Sequence, residues 1–69
     1  MIARWETRGK KHWYELYKSV YQGLTSYHYH GDGCGGNLGC CTRQEAINHM
    51  EYLVAIAKQI GGINMKRVF

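Results

Sequence analysis

The chain has 69 residues, and nine Lys and Arg outnumber five Asp and Glu to give a net charge of +4. This length predicts one small domain, residues 1–69, with little room for an enclosed substrate pocket, so we expect a binding protein and not an enzyme. Three cysteines cannot form a self-contained disulfide framework. No apolar run approaches the ~20 residues of a membrane span, and the first residues lack the apolar region of a secretory signal. We therefore expect a cytoplasmic setting.

Three strands are predicted in the first thirty residues, where aromatic residues and β-formers dominate. They cover residues 2–7, 12–19 and 24–30. Side chains alternate between the two faces of a strand, so Tyr14 and Leu16 share one face while Trp13 and Tyr17 share the other. The face with Tyr14 and Leu16 is predicted to be the core side.

Five of the nine residues at positions 31–39 are glycine, and this stretch is predicted to be a loop. Gly31, Gly33 and Gly36 satisfy G-x-G-x-x-G, but a dinucleotide-binding turn must open directly into a helix, and the next helix begins several residues later. A looser alternative is an anion-binding nest formed with the helix start. The length and polarity of the stretch make it the best candidate for a functional loop.

One amphipathic helix is predicted over residues 42–62. Thr42 and Glu45 form the S/T-x-x-E pattern of a capping box, and Gly61 and Gly62 suit a helix end. The apolar residues fall on one arc, namely Ala46, Ile47, Met50, Leu53, Val54, Ala57 and Ile60. This helix therefore has one face to bury.

A last strand over residues 63–69 completes the order β-β-β-α-β. This order predicts an α+β fold, in which an antiparallel sheet of three to four strands carries one amphipathic helix packed on one face. The last strand is expected beside the first strand or at an edge. The other face of the sheet is left for water or for a partner.

Several residues within a short stretch could bind a metal ion. The candidate ligands are His28, His30, Cys34 and Cys40, and Cys41 is adjacent. Thiolate and imidazole together suit tetrahedral zinc, although the spacing matches no standard zinc finger or ribbon. The alternative is that the cysteines are small buried apolar residues near the helix start and the histidines lie at the surface.

Nine aromatic residues in one small chain exceed what one helix can cover. Together with basic residues they favour a binding surface on the uncovered sheet face, since Tyr, Trp and Arg are common interface residues. The candidate binding residues are Arg4, Trp13, Tyr17, Lys18, His28 and His30. We predict a non-catalytic regulator or inhibitor that binds a protein partner with an acidic surface.

Three alternatives remain open from the sequence. The same aromatic and basic surface could bind single-stranded nucleic acid or RNA, although the aromatic-glycine signature of RNA-recognition domains is absent. The His and Cys residues could hold a structural zinc ion. A cysteine near the helix start could act as a thiol nucleophile. A homodimer is compatible with each of these.

Overall fold

The computed structural model describes residues 1–69, in which five strands and one helix follow the order β-β-β-β-α-β. The elements are β1 (Ala3–Glu6), β2 (Trp13–Tyr21), β3 (Leu24–Gly31), β4 (Cys34–Gly39), α1 (Arg43–Gly61) and β5 (Lys66–Arg67). All neighbouring strands are antiparallel, and the order across the sheet is β4-β3-β2-β1-β5. The predicted α+β fold, an antiparallel sheet with one helix on one face, is confirmed.

The glycine-rich stretch differs from the prediction, because it contains the edge strand β4 and the sheet therefore has five strands. Gly31 lies directly opposite Tyr14, and Gly36 lies directly opposite Tyr29. A Cβ atom added at either glycine would come within 2.8 Å of an atom of that tyrosine ring. The rings fill the space that glycine leaves, and such cross-strand contacts offset the weak tendency of glycine to form strands.

The helix begins and ends where the sequence predicts. The Thr42 hydroxyl accepts the Glu45 N–H at 3.1 Å, and the Glu45 carboxylate accepts the Thr42 N–H at 2.9 Å. Gly62 adopts a left-handed φ of 65° and caps the other end. Ala46 and Met50 are fully buried, whereas Ile60 is 84% exposed. The prediction that Ile60 belongs to the buried arc is wrong, because this residue lies at the margin of the arc in the last turn.

The core lies between the helix and the middle of the sheet. Its seven buried residues are Ala3, Trp5, Leu16, Tyr27, Ala46, Met50 and Met65. The Trp5 indole N–H donates to the Glu51 carboxylate at 3.2 Å, so the buried ring keeps a partner for its one polar atom. No buried side-chain nitrogen or oxygen lacks a hydrogen-bond partner.

The hairpin of β2 and β3 and the edge strand β5 differ in how many residues they pair. The hairpin of β2 and β3 pairs over eight residues, and the molecule measures 40 × 19 × 19 Å. Its turn residues Gln22 and Gly23 have φ values of 51° and 78°, as a two-residue hairpin turn of the type I′ class requires. The short strand β5 pairs beside β1 at the opposite edge, in agreement with the prediction for the last strand. No helix combines the length and apolar character needed to cross a membrane.

Candidate functional site

The helix covers one face of the sheet and leaves the other face uncovered. Ala3 and Leu16, which are directly opposite each other, point to the helix and are fully buried. Their sequence neighbours point the other way, because side chains alternate along a strand. We call the uncovered surface the open face and define it by Arg4, Glu6, Trp13, Glu15, Tyr17, His28 and His30.

Three aromatic rings pack together at the centre of the open face. Tyr17 stacks on His28 with a ring-centroid distance of 5.4 Å and an interplanar angle of 11°. His30 meets both rings edge-on, again with centroid distances of 5.4 Å. The register explains this cluster, since Tyr17 is directly opposite His28 and His30 is two residues further along the same face. Each ring is therefore held by two others.

A charged network adjoins these rings. The Arg4 guanidinium donates to the Glu15 carboxylate, donates to the Glu6 carboxylate at 3.3 Å, and lies 5.0 Å from the centroid of the Trp13 ring. The Tyr17 hydroxyl donates to Glu15 at 2.7 Å. That hydrogen bond, together with Arg4, lowers the pKa of Glu15, and it raises the pKa of Tyr17. The network links the ring cluster to Trp13.

The open face is aromatic as predicted, but its centre offers no unpaired Lys or Arg. Its central cation, Arg4, is paired with the two carboxylates of Glu6 and Glu15. Five of the six candidate binding residues lie on this face. Lys18 does not, because it is directly opposite Tyr27, whose side chain is buried on the helix side. The structure therefore separates Lys18 from the other candidates.

Sequence reasoning missed the carboxylates that hold this face together. Glu15 lies between Trp13 and Tyr17 on the same face, so the two-residue period alone could have identified it. Asp32 had no such signal. Its carboxylate accepts the Trp13 N–H at 2.9 Å and contacts His12 Nδ1 at 2.7 Å, and the bond from Trp13 is the main reason that its pKa is lowered.

The four predicted zinc ligands are not brought together. His28 and His30 lie on the open face, whereas Cys34 is directly opposite Gly31 on the side of the sheet where Tyr14 packs. Cys40 is exposed between β4 and the helix. No group of three or more His, Cys, Asp or Glu side chains is arranged to hold a metal ion.

The three cysteines are free thiols. Cys34 and Cys40 are exposed and Cys41 is half-buried, so only Cys41 approaches the alternative of a small apolar residue near the helix start. Burial raises the pKa of Cys41, and nearby Glu45 adds to this effect. A raised pKa reduces the thiolate fraction at neutral pH, which is the opposite of what a thiol nucleophile needs.

The chain was also compared with known proteins. No protein-family model, no curated protein and no solved structure matches it. The arrangement of the open face and the distribution of charge are therefore the observations from which a function can be inferred.

Proposed function

We propose that this chain is a small non-catalytic protein that binds another protein through the open face and thereby regulates or inhibits a larger macromolecular complex. One observation carries the proposal: Arg4, Trp13, Tyr17, His28 and His30 share a single sheet face that no other element covers. Aromatic residues and arginine are enriched at protein interfaces and supply most of their binding energy.

The contacts among these side chains favour binding. Tyr17 is held by stacking on His28 and by its hydrogen bond to Glu15, and Trp13 is held beneath the Arg4 guanidinium. Ordering a flexible side chain at an interface costs roughly 0.5–1.5 kcal/mol. Side chains that are already restrained in the free protein lose less freedom on binding, so this face is preorganised.

The charge balance of the open face favours a protein over a nucleic acid at this surface. Phosphate binding depends on cations that are free to replace counterions. Arg4 is instead paired with Glu6 and Glu15, so the centre of the face offers no free positive charge. The partner surface that fits the open face carries mixed polar and apolar groups. The acidic partner surface expected from the sequence would have to contact another part of this molecule.

The test is affinity capture from cell extract with three forms of the protein, followed by titration calorimetry on the captured protein. Tyr17→Ala removes the centre of the open face, and Tyr52→Ala is the matched control because Tyr52 is 61% exposed on the helix. We expect wild type and Tyr52→Ala to bind the captured protein equally. Tyr17→Ala should weaken binding by about tenfold or more, the effect of losing one interface hot spot.

Circular dichroism establishes that both variants remain folded. A partner whose affinity depends on Tyr52 and not on Tyr17 would place the interface on the helix and contradict the proposal.

Sedimentation of the purified protein supplies a second check. A homodimer that Tyr17→Ala dissociates would mean that the open face binds a second copy of this chain.

A further inference from the structure

Every acidic side chain of the molecule is engaged within it. The five carboxylates accept hydrogen bonds or ion pairs from the chain itself, and they are Glu6, Glu15, Asp32, Glu45 and Glu51. Among the nine Lys and Arg, only Arg4 takes part in an ion pair. The excess positive charge is therefore carried by cations that no acidic side chain of the molecule pairs with.

Most of these free cations converge on one end of the molecule. A groove of about 580 Å³ lies between the end of β1, the last turns of α1 and β5, and Arg8, Lys58 and Lys66 line it. An adjoining groove of about 480 Å³ shares Arg8 and adds Lys11. Lys10 belongs to the turn between β1 and β2 that also carries Arg8 and Lys11, and its backbone N–H donates to the Thr7 carbonyl. We call this surface the cationic end and define it by Arg8, Lys10, Lys11, Lys58 and Lys66.

The grooves also contain neutral groups that can donate hydrogen bonds. Asn64 and Thr7 line both grooves. The Thr7 hydroxyl accepts the His12 N–H at 3.2 Å and keeps its own hydrogen for a further bond. The one carboxylate present, Glu6, is paired with Arg4. The last helix carbonyls would repel an anion, but those of Ala57 and Lys58 accept N–H groups of the chain that follows.

We propose that the cationic end binds the phosphate backbone of a nucleic acid. Four of its five cations are lysines, which bind phosphate as point charges but are depleted from protein interfaces. Amide and hydroxyl donors beside Lys and Arg are the groups that most often contact phosphates. The cationic end adjoins the open face at Glu6, which lies directly opposite Lys66. It contains none of the aromatic residues of the open face, so this inference stands or falls independently of the proposed function.

The experiment measures the fluorescence anisotropy of a labelled 20-nucleotide DNA of mixed sequence, single-stranded and as a duplex, at several salt concentrations. If five cations contact a single strand, the logarithm of the affinity should fall with the logarithm of the salt concentration with a slope of about −3.5, at ~0.7 per phosphate. Between 50 and 200 mM salt this corresponds to a loss of affinity of roughly 100-fold.

Two double variants of equal composition and equal charge test the location. Arg8→Gln/Lys66→Gln removes two cations of the cationic end, whereas Lys18→Gln/Arg43→Gln removes two exposed cations that lie elsewhere. The first variant should reduce the steepness of the salt slope by about 1.4, and the second should leave the slope unchanged.

Three results would overturn the proposal. The first is no binding to either DNA at a low salt concentration of about 20 mM, at which phosphate contacts are strongest. The second is an equal loss of DNA affinity in both double variants, which would mean that binding depends only on the net charge. The third is competition by polyglutamate as effective as that by unlabelled DNA, which would identify an acidic protein as the partner. Tyr17→Ala should bind DNA like the wild type. A failure of the DNA-binding proposal can therefore be distinguished from a failure of the proposed protein binding by the open face.

Discussion

The two tryptophans show how neighbouring strands give one residue type two different roles. Trp5 lies on the helix side of β1, is 1% exposed and donates its indole N–H to Glu51. Trp13 lies on the open face of β2 and is only half-buried beneath Arg4. Trp5 therefore belongs to the core, whereas Trp13 belongs to a surface available for binding.

Replacing each tryptophan by alanine should separate these roles. Trp5→Ala is expected to lower the free energy of unfolding by about 3–5 kcal/mol, because it leaves a large cavity in a small core. Trp13→Ala should cost less than half as much, since its ring is partly solvated in the folded state. Urea denaturation monitored by circular dichroism measures the free energy of unfolding of both variants. An equal loss of stability in the two variants would contradict this assignment of faces.

The lowered pKa of Asp32 predicts how the stability of the protein changes at low pH. Its folded pKa lies below the ordinary value of 3.8, because the carboxylate accepts the Trp13 N–H and contacts His12. The charged form is thus favoured by folding, and its contribution is complete above the unfolded pKa and lost as the pH falls through the folded one. The free energy of unfolding should therefore decrease as the pH falls below the ordinary pKa of 3.8 toward the lower folded pKa.

Asp32→Asn tests this contribution in pH-dependent denaturation. The variant should be less stable than the wild type at pH 7, and the difference should shrink as the pH falls through the lowered pKa of Asp32 and the wild-type carboxylate also becomes neutral. Glu15 and Glu45 also have lowered pKa values, so part of the acid dependence should remain in the variant. A constant difference at every pH would show that Asp32 does not contribute through its charge.

Among the elements, β4 is the one that depends most on its neighbours. Its sequence is half glycine, and its pairing with β3 brings Gly36 against Tyr29 while Gly31 lies against Tyr14. The two tyrosines in turn meet edge-on with ring centroids 5.8 Å apart. The edge of the sheet is therefore stabilised by ring-to-backbone contacts that a larger residue would displace.

Gly31→Ala should disturb these contacts, since its Cβ would lie 2.8 Å from both Tyr14 Cδ1 and Cys34 Sγ. Forcing an extra carbon into a packed site typically costs about 1–3 kcal/mol. Gly9→Ala is the matched control, because a Cβ there meets nothing within 4 Å. Its stability should be unchanged or slightly higher in thermal denaturation. A loss of equal size in the two variants would indicate that Gly31 acts only through backbone freedom.

For the whole molecule, the position of the core predicts an order of local stability. The buried residues join β1, β2 and β3 to the first half of the helix, whereas the hairpin tip carries Val20, Tyr21 and Leu24 in exposed positions. The strand β5 pairs over only two residues. Regions with few buried contacts open with a smaller free energy than the core.

Amide hydrogen exchange measures this order. We expect the slowest exchange in β1, in the part of β2 near Leu16 and around Met50 in the helix. Exchange should be fastest at the hairpin tip and in β5. Protection of the hairpin tip equal to that of the core would mean that a second molecule covers its exposed residues.

Much of the architecture could be predicted from the chain alone because it depends on contacts between near neighbours. The helix bounds follow from Thr42, Glu45 and the glycines that end it, all within a few residues of the positions they cap. The faces within β1 to β3 follow from a period of two residues, which correctly placed Trp13 with Tyr17 on one face of β2 and His28 with His30 on one face of β3.

Only the tertiary structure decided the features that depend on distant residues. The strand β4 pairs with β3 where the Tyr29 ring fills the space beside Gly36, although local propensity favours a loop there. Pairing with Glu6 and Glu15 removes Arg4 as a free cation. Arg8, Lys58 and Lys66 meet although they belong to different parts of the chain. Strand register and helix packing bring these groups together, and neither is encoded in the spacing of a single segment.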